Sequence, residues 1–259
     1  MSDDAVLALH GNLGTPADWM NLNVGHVRAV DLWEYCELSL FEMAHELATT
    51  ISSGMENPVL AGYSLGGRLA LHAMAIHQRR WKGAIIASAH PGLECVEDRV
   101  ARRVSDELWA ERARQLPWVE FLNEWNVQGV LANSTANGRQ AVVEKNRREI
   151  AMAFETWSLG RQENLRKQLR GFGAPVLWIV GEKDPKFRTI GEEMADVFSD
   201  FTLSVIPDCG HRVLGDECAE VMRDWLGKLQ QNWEQFRRWR EVRRTFHPRS
   251  FSMQLHGAF

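Results

Sequence analysis

Gly62-Tyr63-Ser64-Leu65-Gly66 fits the pattern G-x-S-x-G, and its surroundings decide how the chain is read. The apolar run Pro58-Val59-Leu60-Ala61 precedes it, and a helix-like stretch from Leu69 to Ile76 follows. Strand, sharp turn and helix, in that order, is the setting in which such a serine becomes a nucleophile at an elbow. The flanking glycines suit the turn, because a Cβ at so tight a bend would clash. The turn lifts the hydroxyl into the open at the head of the helix.

A serine hydroxyl is a poor nucleophile and a poor base until a histidine sits beside it. The histidine in turn needs a carboxylate to hold its tautomer. In the α/β-hydrolase fold the chain order is Ser, then Asp or Glu, then His. Val176-Leu177-Trp178-Ile179-Val180 reads as a strand and runs into Gly181-Glu182-Lys183-Asp184. Phe201 to Ile206 reads as another and runs into Pro207-Asp208-Cys209-Gly210-His211. Taken alone, Asp184 could be the N-cap of a helix opened by Pro185, and His211 an ordinary loop histidine. In order, and each just beyond a strand's carboxyl end where open α/β sheets bind ligands, they predict a Ser64–His211–Asp184 triad. Val6-Leu7-Ala8-Leu9 predicts a short buried strand, and the loop His10-Gly11-Asn12 after it supplies the remaining part. The backbone N–H groups of Asn12 and Leu65 are the expected oxyanion hole, each such donor contributing about 3–4 kcal/mol to a developing oxyanion.

The 259 residues suit one large α/β domain or one domain with an inserted cap, and 45% hydrophobic with 25% charged residues is an ordinary globular composition. A net charge of −4 argues against a general nucleic-acid or membrane-surface role. No apolar run approaches the ~20 residues of a membrane span. The acidic start Met1-Ser2-Asp3-Asp4 does not read as a secretory signal. Cys36, Cys95, Cys209 and Cys218 show no C-x-x-C pairing, so free thiols in a reducing, cytoplasmic setting are expected. Neither a metal nor a cofactor is called for, since the histidines include no H-E-x-x-H pattern.

Strand candidates at 6–9, 27–32, 58–62, 83–88, 175–180 and 201–206 alternate with helix candidates at 40–53, 65–78, 186–199 and 217–244. This alternation predicts an α/β fold with a mostly parallel, doubly wound sheet. Residues 91–171 break it, with Trp109, Trp118, Trp125 and Trp157 among many charges and no strand-like run. They are expected to form a helical cap over the active site, with 1–90 and 172–259 forming one discontinuous core. The C-terminal stretch carries Arg237, Arg238, Arg240, Arg243, Arg244 and Arg249, with Trp233, Phe236, Trp239 and Val242 at helical spacing among them. It reads as an extended last helix laid on the body, although a basic amphipathic helix also suits a membrane surface or an acidic partner.

A triad on this fold does not name a reaction. Arg68, one helical turn beyond Ser64, narrows the choice: a guanidinium near the nucleophile suits a small anionic carboxylate substrate. With Gly62-Tyr63-Ser64-Leu65-Gly66-Gly67-Arg68, Ser88-Ala89-His90-Pro91-Gly92-Leu93, Arg99 to Arg103 with Ser105-Asp106 and Trp109, Gly181-Glu182-Lys183-Asp184-Pro185-Lys186-Phe187 and Ile206 to His211, the chain resembles the 2-succinyl-6-hydroxy-2,4-cyclohexadiene-1-carboxylate synthases of menaquinone biosynthesis. The resemblance spans roughly residues 6 to 211. It implies a lyase built on hydrolase machinery. The triad acts as a base that removes a ring proton, pyruvate leaves from an enolpyruvyl cyclohexene carboxylate, and no acyl-enzyme is needed. It further implies that Arg68 and Arg102 bind substrate carboxylates and that Tyr63 and Trp125 line the pocket. Two segments depart from the family. A D-L-P-G-H-G-type loop is replaced by Asp31-Leu32-Trp33-Glu34-Tyr35-Cys36, and a further family arginine falls near Lys145-Asn146-Arg147. The residues also allow a carboxylic-ester or thioester hydrolase with Ser64 as acyl nucleophile, or a binding module that retains the fold.

Overall fold

Among the described residues six strands pair in the order β2-β1-β3-β4-β5-β6, and every pair is parallel. They are β1 (Val6–Leu9), β2 (Val27–Val30), β3 (Val59–Tyr63), β4 (Gly83–Ala87), β5 (Val176–Gly181) and β6 (Phe201–Ile206). The computed structural model describes residues 6–131, 133–134 and 138–245, without the side chains of 138–139 and 236–245. The acidic start, Arg249 and the side chains of Phe236, Trp239, Val242 and the basic cluster from Arg237 to Arg244 thus lie outside the described residues.

The strands fall within a residue or two of the apolar runs that predicted them. β3, β4 and β5 sit inside the sheet and are buried almost throughout, while the edge strands β2 and β6 are partly exposed. A parallel sheet covered on both faces requires this near-continuous apolar character. The run expected at 27–32 stops at Val30. Asp31 there turns its carboxylate back to accept from the Trp33 N–H at 3.2 Å and opens a 3-10 turn, Leu32–Tyr35.

Alternate strand residues feed two cores. Leu7, Leu9, Leu60, Ile86, Trp178 and Val180 face one side, against α2 (Leu40–Glu46), α3 (Leu65–Ile76) and α8 (Pro185–Met194). Val6, Ala8, Val59, Ala61, Ile85 and Leu177 face the other, against α1 (Ala17–Met20) and α9 (Asp216–Thr245). The helix expected at 40–53 widens into a π-helical turn over Leu47–Ile51, and its start is fixed by a reciprocal cap between Ser39 and Glu42. The helix expected at 186–199 ends sooner, at Met194, followed by turns to Phe198.

From β1 the chain steps to β2 on one side and then returns to β3 on the other. The carboxyl ends of β1 and β3 therefore flank the point where the winding direction reverses, the crevice in which open α/β sheets hold ligands. Between β4 and β5 lie α4 (Val96–Gln115), α5 (Trp118–Asn126), α6 (Arg147–Thr156) and α7 (Arg166–Leu169), with 3-10 turns at Gly129–Leu131 and Gly138–Asn146. α4 and α6 pack on each other, and the Leu165 N–H donates to the Pro91 carbonyl at 2.8 Å, drawing the two ends of the insertion together.

α3 is buried on nearly its whole circumference, from Leu65 to Met74, and it carries His72 inside. Burial first, and then the nearby charge of Arg68, pushes the His72 imidazole down to about 4, and its Nε2 has no protein partner among the described residues. In the unfolded chain the same group titrates near 6.5, so its contribution to stability is complete above 6.5 and drains as pH falls toward 4. His72→Gln should remove roughly 2 kcal/mol of the stability lost between pH 7.5 and pH 5. Urea unfolding of both proteins at the two pH values measures the difference.

Candidate active site

Ser64 lies between β3 and α3 with φ 51° and ψ −109°, a backbone that residues with a Cβ rarely adopt. Its N–H donates to the Ala87 carbonyl of β4 at 2.9 Å, and its carbonyl accepts from the Arg68 N–H at 3.0 Å. The bend is thereby fixed by the sheet on one side and the helix on the other. Gly66 is the contact that permits it: a Cβ there would run into the carbonyl oxygens of Leu9 and His10 at the end of β1.

The three residues predicted for the triad meet. The Ser64 hydroxyl lies 3.0 Å from His211 Nε2, across 147 positions of sequence, and His211 Nδ1 lies 2.8 Å from Asp184 Oδ2. An ionised carboxylate only accepts, so Nδ1 carries the proton and Nε2 is left to accept from the serine. Asp184 and His211 are both buried. Asp184 also caps α8, its Oδ1 accepting from the Phe187 N–H at 3.3 Å, so one carboxylate serves both the helix start and the imidazole. Phe187 packs its ring 4.5 Å from the His211 ring, centroid to centroid, and Tyr63 sits at 5.8 Å on the same imidazole.

A cavity of about 210 Å³ opens over Ser64. Asn12 and Leu65 line it, and among the described residues neither backbone N–H donates to a protein acceptor. Leu65 begins α3, so its amide also lies at the positive end of that helix. Arg68, Arg102, Tyr63 and Trp125 line the same cavity. Arg68 is buried; its guanidinium donates to Gln162 Oε1 at 3.1 Å and to the Trp157 carbonyl at 2.6 Å. Both acceptors are neutral, and among the described residues it has no carboxylate partner. Burial, then repulsion from Arg102, pulls it down to about 9, which still leaves it cationic near neutrality. Arg102, on α4, spends its Nε on both oxygens of buried Asp106, at 2.9 Å each, and Asp106 also accepts from Ser158 at 2.7 Å. Trp125 of α5 meets Trp109 of α4 edge to face at 5.1 Å. Burial raises the Tyr63 phenol above its usual range, so it stays protonated.

Other residues reach the cavity that the motif reading did not single out. Lys186, two positions past Asp184, lines it without a hydrogen bond or ion pair among the described residues. Arg212, next to His211, lines it too, as do Gln128 and Gln140. Ser88, at the end of β4 with φ 45°, is fully buried, and its hydroxyl has no protein partner among the described residues. His90 accepts from the Gly92 N–H at 3.1 Å; burial and the charge of Lys186 push it down to about 3, so it is neutral in this cationic corner. Position in the quoted motifs could have drawn attention to Lys186 and Ser88, but nothing in the sequence marks Gln128 or Gln140.

The departures from the family take definite places. Trp33 is turned inward, its indole donating to the Gly14 carbonyl at 3.0 Å and its ring 5.0 Å from His10, and it does not line the cavity. His10 is itself a staple: Nε2 accepts from the Leu32 N–H at 3.0 Å and Nδ1 faces the Gly11 carbonyl at 2.9 Å. Lys145, Asn146 and Arg147 lie away from the cavity, with Arg147 paired to Glu144 and set over the Trp118 ring.

The profile of the Alpha/beta hydrolase family matches residues 6–225. The 2-succinyl-6-hydroxy-2,4-cyclohexadiene-1-carboxylate synthase of Salmonella paratyphi B is 37% identical over 179 residues, 68% of this chain and 69% of that protein. Among solved structures, MenH from S. aureus superposes with a TM-score of 0.78 at 23% identity, over 89% of this chain and 95% of that one. A thermophilic esterase from Thermogutta terrifontis reaches 0.67 at 22% identity, over 87% and 90%.

The geometry predicts a serine that an aryl sulfonyl fluoride or a fluorophosphonate will label whatever the natural reaction. Intact-protein and peptide mass spectrometry should find one adduct, on Ser64. Asp184→Asn should slow the labelling about 10³–10⁴-fold by leaving the imidazole in the wrong tautomer.

Proposed function

Because this chain belongs to the α/β-hydrolase family and, within it, to the 2-succinyl-6-hydroxy-2,4-cyclohexadiene-1-carboxylate synthases, we propose that it eliminates pyruvate from an enolpyruvyl cyclohexene carboxylate with Ser64, His211 and Asp184 as the base. The observation that carries this reading is Arg68: a buried cation on the helix that begins at the nucleophile, facing the same cavity and without a carboxylate partner among the described residues.

The steps follow from the placement. His211 accepts the Ser64 proton through Nε2, and Asp184 stabilises the imidazolium that results. The serine oxygen takes the ring proton. The electron pair of that C–H bond becomes a new ring double bond, and the C–O bond to the enolpyruvyl group breaks. The departing enolate is protonated at carbon and leaves as pyruvate, restoring the proton balance. The amides of Asn12 and Leu65 hold the negative charge that develops on the substrate carbonyl oxygen. Arg68 and the terminal nitrogens of Arg102 take carboxylates, with Asp106 fixing Arg102 in place. Residues 91–171 serve as the cap that brings Arg102 and Trp125 over the site. The four thiols are free, which supports a cytoplasmic setting, and no helix among the described residues is long and apolar enough to cross a membrane.

One observation also favours acyl transfer. A serine held at 3.0 Å from its base, facing two unengaged backbone donors, is competent to attack an ester or thioester carbonyl. Given the enolpyruvyl substrate, the purified protein should release pyruvate, followed through lactate dehydrogenase. Arg68→Met should lower kcat/KM about 10²-fold, measured on protein whose folding is verified by circular dichroism. No pyruvate above background, together with a burst of nitrophenol from p-nitrophenyl esters and an acyl group trapped on Ser64, would establish the hydrolase instead.

A further inference from the structure

Among the described residues four cationic side chains line the cavity, and they do not share one place. Arg68, Arg102 and Lys186 form a group: Arg102 lies close enough to lower both of the others, after burial in each case. Arg212 stands apart. Of the four, it alone also lines a neighbouring cavity. A second cavity of about 330 Å³ adjoins the first, and Asn12, Tyr63, Gln140 and Arg212 line both. Arg212 therefore stands at the junction of the two, beside the catalytic imidazole. Its guanidinium is held in position by the Ser134 carbonyl, at 3.4 Å, and by the Asn126 side chain. The acids that face the second cavity are engaged elsewhere: Asp208 with Lys183 at 2.7 Å, Asp18 with the Thr15 N–H at 2.9 Å.

The substrate's chemistry distributes its charges in the same uneven way. The ring carboxylate and the enolpyruvyl carboxylate sit close to the bonds that break. The carboxylate of the succinyl arm lies at the end of a flexible chain and must go where there is room. We propose that Arg212 receives the carboxylate at the end of the succinyl arm, which enters the junction between the two cavities, and that it selects substrates with an anionic arm. This rests on the synthase reading for the identity of the arm. A planar guanidinium is suited to a carboxylate, and its place next to His211 at the junction of the two cavities ties arm binding to the position of the ring over Ser64.

A structural role for Arg212, as a clamp between the core and the insertion, must be separable in the test. Two ligands do so: 2-(3-carboxypropanoyl)benzoate, a dianion with the arm, and 2-butanoylbenzoate, in which the arm ends in a methyl group. Binding is measured by calorimetry on the full chain, with no turnover required. Arg212→Met should weaken the dianion about tenfold to a hundredfold and leave the monoanion unchanged. Arg212→Lys should restore most of the loss, and Arg68→Met should weaken both ligands. In the pyruvate assay, Arg212→Met should raise KM more than it lowers kcat. Equal weakening of both ligands, as a clamp would give, overturns the proposal. So does an unchanged preference for the dianion, or a wild-type protein that does not bind the dianion. Failure of the synthase reading shows separately, as no pyruvate released by the wild type.

Discussion

The approach of α3 to the end of β1 is the contact on which the rest depends. Gly66 rests against the carbonyls of Leu9 and His10 because it has no Cβ, and this brings the first turn of the helix against the loop after β1. The amides of Leu65 and Asn12 come to one cavity for that reason, although they lie on different strand-ending loops. The same closeness forces Ser64 into its left-handed backbone, a cost met by the hydrogen bonds to Ala87 and Arg68. His10 holds the other wall, tying the β1 loop to Leu32 on the β2 side. Serine geometry and donor geometry are thus consequences of one steric fact.

The electrostatics of the site are those of an anion receptor with few acids of its own. The Asp106 carboxylate is taken up by Arg102 and Ser158, and Asp184 by His211 and the α8 amide. Among the described residues Arg68 is bound by neutral oxygens alone, which fixes its direction without a carboxylate partner. Gln162 performs two tasks at once: its Oε1 takes Arg68 and its Nε2 donates to the His90 carbonyl at 2.9 Å. Keeping His72 and His90 neutral avoids two more positive charges beside three that are already crowded. A pocket with unequal positive poles orients an asymmetric polyanion before any chemistry begins.

Much of the fold was legible because each strand is a short apolar run closed by a polar turn, and Ser64, Asp184 and His211, whose side chains meet, stand just past three such runs. Arg68 was legible from helical spacing alone. The inserted segment was readable as helical but not in detail. Trp109, Trp118 and Trp125 pack around Phe121 within the insertion itself, so no sheet imposes a periodic stripe on these helices. Trp33 illustrates a different limit. A bulky residue in a loop near the site suggests an altered pocket, yet the ring turns away from the cavity, because the Gly14 carbonyl offers its indole an acceptor. Arg212 and Gln140 carry no pattern at all: their neighbours are distant in sequence, and only folding brings them together.

The hydrogen bond between residues 64 and 211 closes a span of 147 positions, with the whole insertion inside it. During synthesis on a ribosome the elbow emerges long before its base. A nascent chain carrying β1 to β4 has the serine but neither the imidazole nor the carboxylate, and its hydroxyl remains as inert as that of any free serine. The proposed base is complete only when β5 and β6 dock on the growing sheet edge. The long loop thereby makes chemical competence a late event in the life of the polypeptide, contingent on completed assembly rather than on the motif that announces it.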